Sequence, residues 1–316
     1  MSAAPCVSII VPVFNSQRYL KECLDSIIKQ TFTDFEIIII DDCSSDQSYE
    51  LCSRFRDIDD RIRLFRNQEN KGVSYVRNKA IRMAKGDFIL FMDADDFYPS
   101  DRAIEILYSS AISSGLDIVG GSLMIVNALS DVVNTKPSAL CFDKSKIISY
   151  DSYQHDGGFY RFIYKREFLL QKQVYFPYLV RFQDAIFFVR SLSKVRKFLV
   201  IPECVYAYRK GHKVVYWSKV ALISHIAGVM HVLNISSNKG YARLHSLMLK
   251  NATRSMILKT ENLSLMQKCY LVTRIFGKVD LRLCQKSLTN FTIAGYCIKL
   301  FLSPFLFYVF KYFMKK

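Results

Sequence analysis

The nine cysteines include no Cys-x-x-Cys pair and run singly from Cys6 to Cys297. That excludes a zinc ribbon or a redox motif, and the odd number argues against a closed disulfide framework. A reducing compartment is expected, with most thiols acting as small core groups. No Gly-x-Gly-x-x-Gly follows the first apolar strand, which weakens a dinucleotide-dependent dehydrogenase reading. The N-terminus lacks a basic segment leading into a long apolar core; Cys6 to Phe14 is short and broken by Pro12, so no export is expected. Acidic residues run out toward the other end. Residues 211–316 carry 16 basic side chains against 2 acidic ones, Glu261 and Asp280, for a net +14, whereas residues 1–210 carry 28 against 26, for a net +2. The chain is therefore expected to divide into residues 1–211 and a basic helical region, 212–316.

What is present is a core-forming composition. Over 316 residues, 51% hydrophobic and 14% aromatic content excludes a disordered chain. Val7 to Val13 is nearly continuous in β-branched residues, the pattern of a strand buried on both faces, and Leu20, Cys23, Leu24, Ile27 and Ile28 follow at helical spacing. The unit repeats. Glu36 to Ile40 is a second strand, with Asp46 available to cap a helix from about Gln47 to Phe55. A short strand over Ile62 to Phe65 leads to a helix with Val73, Val76, Ala80 and Met83 on one face, and then to a strand over Phe88 to Met92. A helix is predicted from near Ser100 and a further strand at Asp117 to Gly120. Gly121 to Tyr150 reads as loops with a hairpin, Tyr160 to Tyr164 as a strand, and Lys165 to Leu170 as the start of a helix. Ala185 to Val189 reads as helix, and Phe198 to Ile201 and Val205 to Tyr208 as two short last strands. Such alternation predicts an α/β fold with a mainly parallel sheet and helices on both faces.

Ligands bind such sheets at the carboxyl ends of the strands, and Asn15, Asp42 and Asp93 to Asp96 all fall at that edge. Asp93-Ala94-Asp95-Asp96 places three carboxylates in four residues, whose repulsion needs a cation, a basic neighbour or water to offset it. The cluster suits a hard divalent cation, and the absence of an adjoining His or Cys argues against zinc; the alternative is a solvated turn capping the next helix. Asp42 is either an ordinary strand end or an acceptor for a base or ribose. Arg77 is either a surface residue or a partner for a diphosphate.

Taken together, Val7 to Asn15, Ile37 to Asp46, Asn70-Lys71-Gly72 with Arg77-Asn78, and Gly86-Asp87-Phe88 through Asp96 resemble the family 2 glycosyltransferases of the GT-A fold. The match runs from Val7 to about Pro99, and a weaker one continues through Gln183-Asp184, Ile201-Pro202 and Tyr206 to Arg209; the last hundred residues are outside it. The resemblance implies a Rossmann-like mixed sheet and an inverting transferase that uses a nucleotide-diphosphate sugar, with a UDP-linked donor expected. Pro12, Phe14, Asn15 and Asp42 would lie along the nucleoside, with Asp42 on the base, and Asn70, Gly72, Arg77, Asp93 and Ala94 would complete the nucleotide site, with Asp93 on the ribose. Asp95 would hold Mn²⁺ or Mg²⁺ bridging the diphosphate, and Asp184 would deprotonate the acceptor hydroxyl. Diphosphate or acceptor contacts would fall to Asp96, Gln183 and His212, and His155 could line the acceptor site. The family usually has Glu-Asp where this chain has Gln183-Asp184, which keeps open a catalytically silent, membrane-bound subunit or sugar-nucleotide sensor; Asp184 could also be a helix cap.

Past Gly211, helices are predicted over Lys219 to Asn234 and Tyr241 to Lys259, with Arg243, Lys250 and Arg254 on one face. The aromatic tail, Phe291 to Phe313, is interrupted by Lys299 and Pro304. Its longest uncharged piece after Lys299, Leu300 to Phe310, is shorter than the ~20 residues of a spanning helix. Without a nucleic-acid motif, a basic amphipathic region with an aromatic end suits an anionic membrane surface; an ordinary helical bundle with a solvated basic face is the alternative. The expected setting is cytoplasmic, attached peripherally to the inner membrane. The expected acceptor is a saccharide or a polyprenyl-diphosphate-linked one, for surface polysaccharide of the capsule or O-antigen kind.

Overall fold

A computed structural model of the chain describes residues 4–134, 140–212, 216–258 and 263–287. The first half alternates as read: β1 (Val7–Val13), α1 (Gln17–Ile28), β2 (Phe35–Asp41), α2 (Ser48–Arg56), β3 (Ile62–Arg66), α3 (Val73–Met83), β4 (Phe88–Phe91) and α4 (Ala103–Ser114). There follow β5 (Ile118–Val126), β6 (Val132–Asn134), β7 (Lys146–Ile148), α5 (Tyr150–Tyr153), a 3-10 turn at Phe159–Arg161, β8 (Phe162–Lys165) and α6 (Arg166–Gln171). The remaining elements are α7 (Gln183–Lys194), β9 (Phe198–Arg209), α8 (Lys219–Lys239), α9 (Ala242–Leu258), α10 (Leu265–Phe276) and α11 (Leu281–Ser287).

One sheet runs β3-β2-β1-β4-β8-β5-β9-β7, with β6 paired to β5. The block β3-β2-β1-β4 is parallel, β8 is antiparallel to both its neighbours, and β5 and β9 are parallel. All seven residues of β2 and all four of β4 are buried, which explains the Ile37 to Ile40 and Phe88 to Phe91 apolar runs. The chain leaves β1 toward β2 on one side and reaches β4 on the other. The strand order therefore reverses beside β1, and the crevice beyond its carboxyl end is where loops can part around a ligand.

Three expectations change. The segment from Gly121 to Val126, read as loop, belongs to β5. A Cβ on Gly120 would stand 2.1 Å from the Phe162 ring and one on Gly121 2.5 Å from Val205, so these glycines admit close neighbours rather than break a strand. The two short strands expected at 198–201 and 205–208 are one strand, β9. Its register against β5 shifts between Gly120 and Leu123, which accommodates Pro202 without a ladder N–H. Tyr160 lies in the 3-10 turn and β8 starts at Phe162. The hairpin expected in this stretch is the β5–β6 pair.

The chain forms two compact units. The first comprises residues 1–153, 157–178 and 190–214, and the second residues 154–156, 179–189 and 215–316. Within the second, α8 and α9 form a hairpin closed by Gly240 in the left-handed conformation. Leu222, Ile226, Val229 and Leu233 bury one stripe of α8. Buried His245 ties α11 to this hairpin, with Nδ1 2.9 Å from Ser236 Oγ and Nε2 accepting from the Asp280 N–H at 3.0 Å. Arg243, Lys250 and Arg254 are exposed along α9, as their spacing predicted. Among the described residues, one helix, Lys219–Lys239, is long and apolar enough to cross a membrane by length and composition, and half of its apolar window is buried in the protein. The expected anchor at 291–313 lies outside the described residues.

Candidate active site

The first unit builds its rim from the loops after β1, β2 and β4. Asn15, at φ +46°, accepts through Oδ1 from the Ser45 N–H at 2.9 Å, while its own N–H donates to Ser44 Oγ at 3.0 Å. The β1 and β2 loops are thereby stitched together, with Phe14 left 47% exposed at their edge. Pro12 is half-buried and Asn70 is exposed. Asp46, one residue before the N-cap Gln47, accepts from the Ser48 N–H at 3.0 Å, and α2 starts at Ser48, one residue later than expected.

Asp42 is buried, and its carboxylate accepts three bonds from its own chain: Asn67 Nδ2 at 2.8 Å, the Lys71 N–H at 2.9 Å and the Gly72 N–H at 2.7 Å. In place of an open acceptor, Asp42 braces the 67–72 loop. Gly72, at φ +85°, makes the left-handed turn into α3 that this bracing requires.

The acidic cluster divides into three environments. Arg77 donates through Nη2 to Asp93 Oδ1. Arg77 is only 4% exposed, with its guanidinium carbon 4.8 Å from the Phe159 ring and 5.0 Å from the Phe176 ring. The diphosphate contact expected of Arg77 is therefore corrected: ringed by aromatics, it orients Asp93 instead. Asp93 keeps a quarter of its side chain exposed, its N–H donates to Tyr206 Oη at 3.2 Å, and Ala94 behind it is buried.

Asp95 faces His212, with Oδ2 2.6 Å from Nε2, and His212 packs edge-on to Tyr19 at 5.1 Å. Among the described residues the buried His212 Nδ1 has no hydrogen-bond partner. Asp96 is only 2% exposed. It accepts from Tyr206 Oη at 2.8 Å and from the Arg209 N–H at 2.7 Å. Burial, and then the charges of Asp95 and Asp93, hold its carboxyl well above the usual range. A diphosphate or acceptor contact at Asp96 is thus also corrected, because both oxygens are already engaged inside the protein.

Arg209 is the residue that sequence reasoning left without a role. Fully buried, it donates through Nε to the Asp95 carbonyl at 2.8 Å, through Nη1 to Ser130 Oγ at 2.9 Å, and through Nη2 to Glu22. It fixes the backbone of the acidic loop from the end of β9. Its place in the Tyr206-Ala207-Tyr208-Arg209 stretch was the only available signal.

The other predicted residues belong to the second unit. Gln183 and Asp184 open α7, with Gln183 Oε1 buried and, among the described residues, without a hydrogen-bond partner. His155 Nε2 lies 3.2 Å from Arg243 Nη2.

Among the described residues no group of three or more His, Cys, Asp or Glu side chains is arranged to hold a metal ion. Asp95 with His212 supplies an oxygen and a nitrogen donor, so the cluster that reads in sequence as having no adjoining His gains one from the 212 loop. That pair would suit a divalent cation that accepts mixed oxygen and nitrogen ligands.

Comparison with known proteins agrees with this layout. The model for "Glycosyl transferase family 2" matches residues 8–172. "Uncharacterized glycosyltransferase EpsJ" of Bacillus subtilis is 32% identical over 216 residues, covering 66% of this chain and 62% of that protein. A poly(ribitol-phosphate) beta-glucosyltransferase of Bacillus spizizenii is 30% identical over 210 residues, covering 64% of this chain and 32% of that protein. The chain thus spans less than two thirds of the length of these relatives. In fold it is similar to S. aureus TarS 1-349, solved in complex with UDP-GlcNAc, with a TM-score of 0.73 at 19% identity over 94% of this chain and 86% of that one. With the family model covering more than half the chain and the sheet and rim in place, the protein belongs to glycosyl transferase family 2.

Proposed function

We propose that the chain is an inverting glycosyltransferase. It would move a sugar from a nucleotide-diphosphate donor, UDP-linked, to a hydroxyl of a saccharide or lipid-linked saccharide in surface polysaccharide synthesis. The observation that carries this reading is the division of the acidic cluster: Asp93 is oriented with one oxygen unclaimed by Arg77, and Asp95 faces His212. UDP-GlcNAc in the TarS neighbour and the glucosyltransferase relative support the donor and the pathway class.

In this reading the base lies against the loops that Asn15 and Asp42 hold, and the ribose hydroxyls bond to Asp93. Asp95, with His212, holds Mn²⁺ or Mg²⁺, which when bound offsets the negative charge of the departing diphosphate. Asp184 accepts the proton of the acceptor hydroxyl as that oxygen attacks the anomeric carbon from the face opposite the diphosphate. Arg77 and Arg209 do not touch substrate. Holding Asp93 and the Asp95 backbone in place before the donor arrives is their contribution, since donors fixed in advance cost no reorganisation during the reaction. The basic helical region would hold the enzyme on an anionic membrane surface, where a lipid-linked acceptor is confined.

Calorimetry of UDP binding with and without Mn²⁺ tests the site. Wild-type protein should bind more tightly with the metal, and Asp95→Asn should remove that increment. Undiminished metal-dependent binding in Asp95→Asn would overturn the assignment.

A further inference from the structure

The second unit holds a second carboxylate, Asp156, on the same framework as Asp184. The three-residue segment Gln154 to Asp156 is clamped to α9 at two points. Gln154 Oε1 accepts from the N–H groups of Arg243 and Leu244, at 2.9 and 3.2 Å, which satisfies the free first turn of that helix. Two turns further along, Asn251 Nδ2 lies 3.4 Å from Asp156 Oδ2.

The segment leading into α7 is fixed in the same manner on α8. The Arg181 N–H donates to Ser224 Oγ at 3.2 Å, and the Phe182 ring meets His225 edge-on at 4.8 Å. Gly228 leaves room for Phe182; a Cβ there would stand 2.8 Å from the Phe182 Cβ. The α8–α9 hairpin therefore acts as one platform carrying two loops, one ending in Asp156 and the other opening into Gln183-Asp184.

We propose that Asp156 is a positioning residue for Asp184: it supplies, from a separate loop, the neighbouring carboxylate that the neutral Gln183 does not provide. The inference rests on the reading of Asp184 as the general base. A like charge beside a carboxylate raises its proton affinity, so an ionised Asp156 makes Asp184 a stronger acceptor for the hydroxyl proton. In support, the Asp156 carboxyl is pushed up to about 6, by burial first and by the Asp184 charge in addition.

Four other charged or titratable groups on these elements, His155, Arg243, Arg181 and His225, have partners of their own. His155 and Arg243 face each other at 3.2 Å, the Arg181 guanidinium lies 5.5 Å from the Trp217 ring, and His225 Nε2 is 2.9 Å from Ser255 Oγ.

The test is carboxyl ¹³C NMR on the full chain from pH 4 to pH 8, in wild type, Asp184→Asn, Asp156→Asn and Asp156→Glu. Removing Asp184 should lower the Asp156 midpoint, because the Asp184 carboxylate is the charge that adds to burial in holding it up. An Asp156 midpoint unmoved in Asp184→Asn overturns the inference, and this measurement does not require Asp156→Asn to fold.

Turnover of UDP-N-acetylglucosamine with Mn²⁺ gives the catalytic readout. Asp156→Asn should shift the acid limb of kcat to lower pH and reduce the plateau about three- to tenfold, leaving KM for the donor unchanged. Asp156→Glu should restore both. A uniform loss with an unshifted limb would mean a structural role and would overturn the proposal. Loss of the base reading looks different: Asp184→Asn would then keep its turnover even with the coupled titration present.

Discussion

Replacing Asp96 separates a buried anchor from a substrate contact. Its carboxylate satisfies the Tyr206 hydroxyl at 2.8 Å and the Arg209 N–H at 2.7 Å, both out of reach of water. Asp96→Ala leaves both groups unpaired, at ~1–3 kcal/mol each, so a loss of about 3–5 kcal/mol is expected once the small void is included. In urea unfolding followed by circular dichroism, that corresponds to a midpoint ~1–2 M lower. Asp96→Asn should cost far less. Its Oδ1 still accepts from Arg209, its amide can donate to Tyr206 Oη, and only the Tyr206 hydroxyl proton is orphaned, for ~1–2 kcal/mol. The sign of the pH dependence gives an internal check. Because the folded-state carboxyl of Asp96 is raised, wild type loses stability as pH climbs above the unfolded carboxylate value, whereas Asn does not titrate. The deficit of Asp96→Asn should therefore shrink between pH 5 and pH 8. Mn²⁺-dependent UDP affinity should stay within about threefold of wild type in Asp96→Asn, under ~1 kcal/mol. An Asp96→Asn protein that unfolds like wild type but no longer binds UDP would refute the anchor and restore Asp96 to the ligand.

Two further outcomes concern the second unit and the tail. His245 is held neutral, with burial lowering its pKa despite the nearby Asp280, so its contribution is present above about pH 6.5 and lost as pH falls below it. His245→Gln should be ~1–2 kcal/mol less stable at pH 8, and its stability should vary less between pH 7 and pH 5 than that of wild type; a steeper acid loss in the variant, by urea titration at each pH, would contradict the pairing. Deleting residues 291–316 should release the protein from anionic lipid vesicles in a flotation assay, and unchanged binding would place the attachment elsewhere.

The first half of the fold was legible because its signals are local. Each buried parallel strand is a largely apolar run, the helices repeat apolar residues at i, i+3 and i+4, and Asp41, Asp42 and the Asp93 to Asp96 cluster fall where strands end. What could not be read depends on partners distant in sequence. Gly120 and Gly121 look like strand breakers until Phe162 and Val205 are brought against them. Pro202 looks like a strand boundary until the β5 register shows a bulge that absorbs it. Arg77 looks like a surface cation one turn inside a helix. Phe159 and Phe176, which lie against it, come from beyond the acidic loop, and no periodicity marks them as its neighbours.

The same distant partners explain why the three carboxylates are not equivalent. Asp93 has a guanidinium of its own in Arg77, which offsets its charge in a poorly hydrated setting where such pairing is strongest. Asp96 has two neutral donors and no cation on its carboxylate, because the Arg209 guanidinium is spent on Glu22, Ser130 and carbonyl oxygens while only its N–H reaches Asp96. Burial with neutral donors favours the protonated form, which removes much of the Asp96 charge from the rim. Of the three, Asp95 alone combines partial exposure with a side-chain partner, His212, that is itself a metal-ligand type. Under the proposed function, partial exposure and an imidazole beside the carboxylate are the physical grounds for placing the divalent cation at Asp95, with its neighbours left to orientation and anchorage.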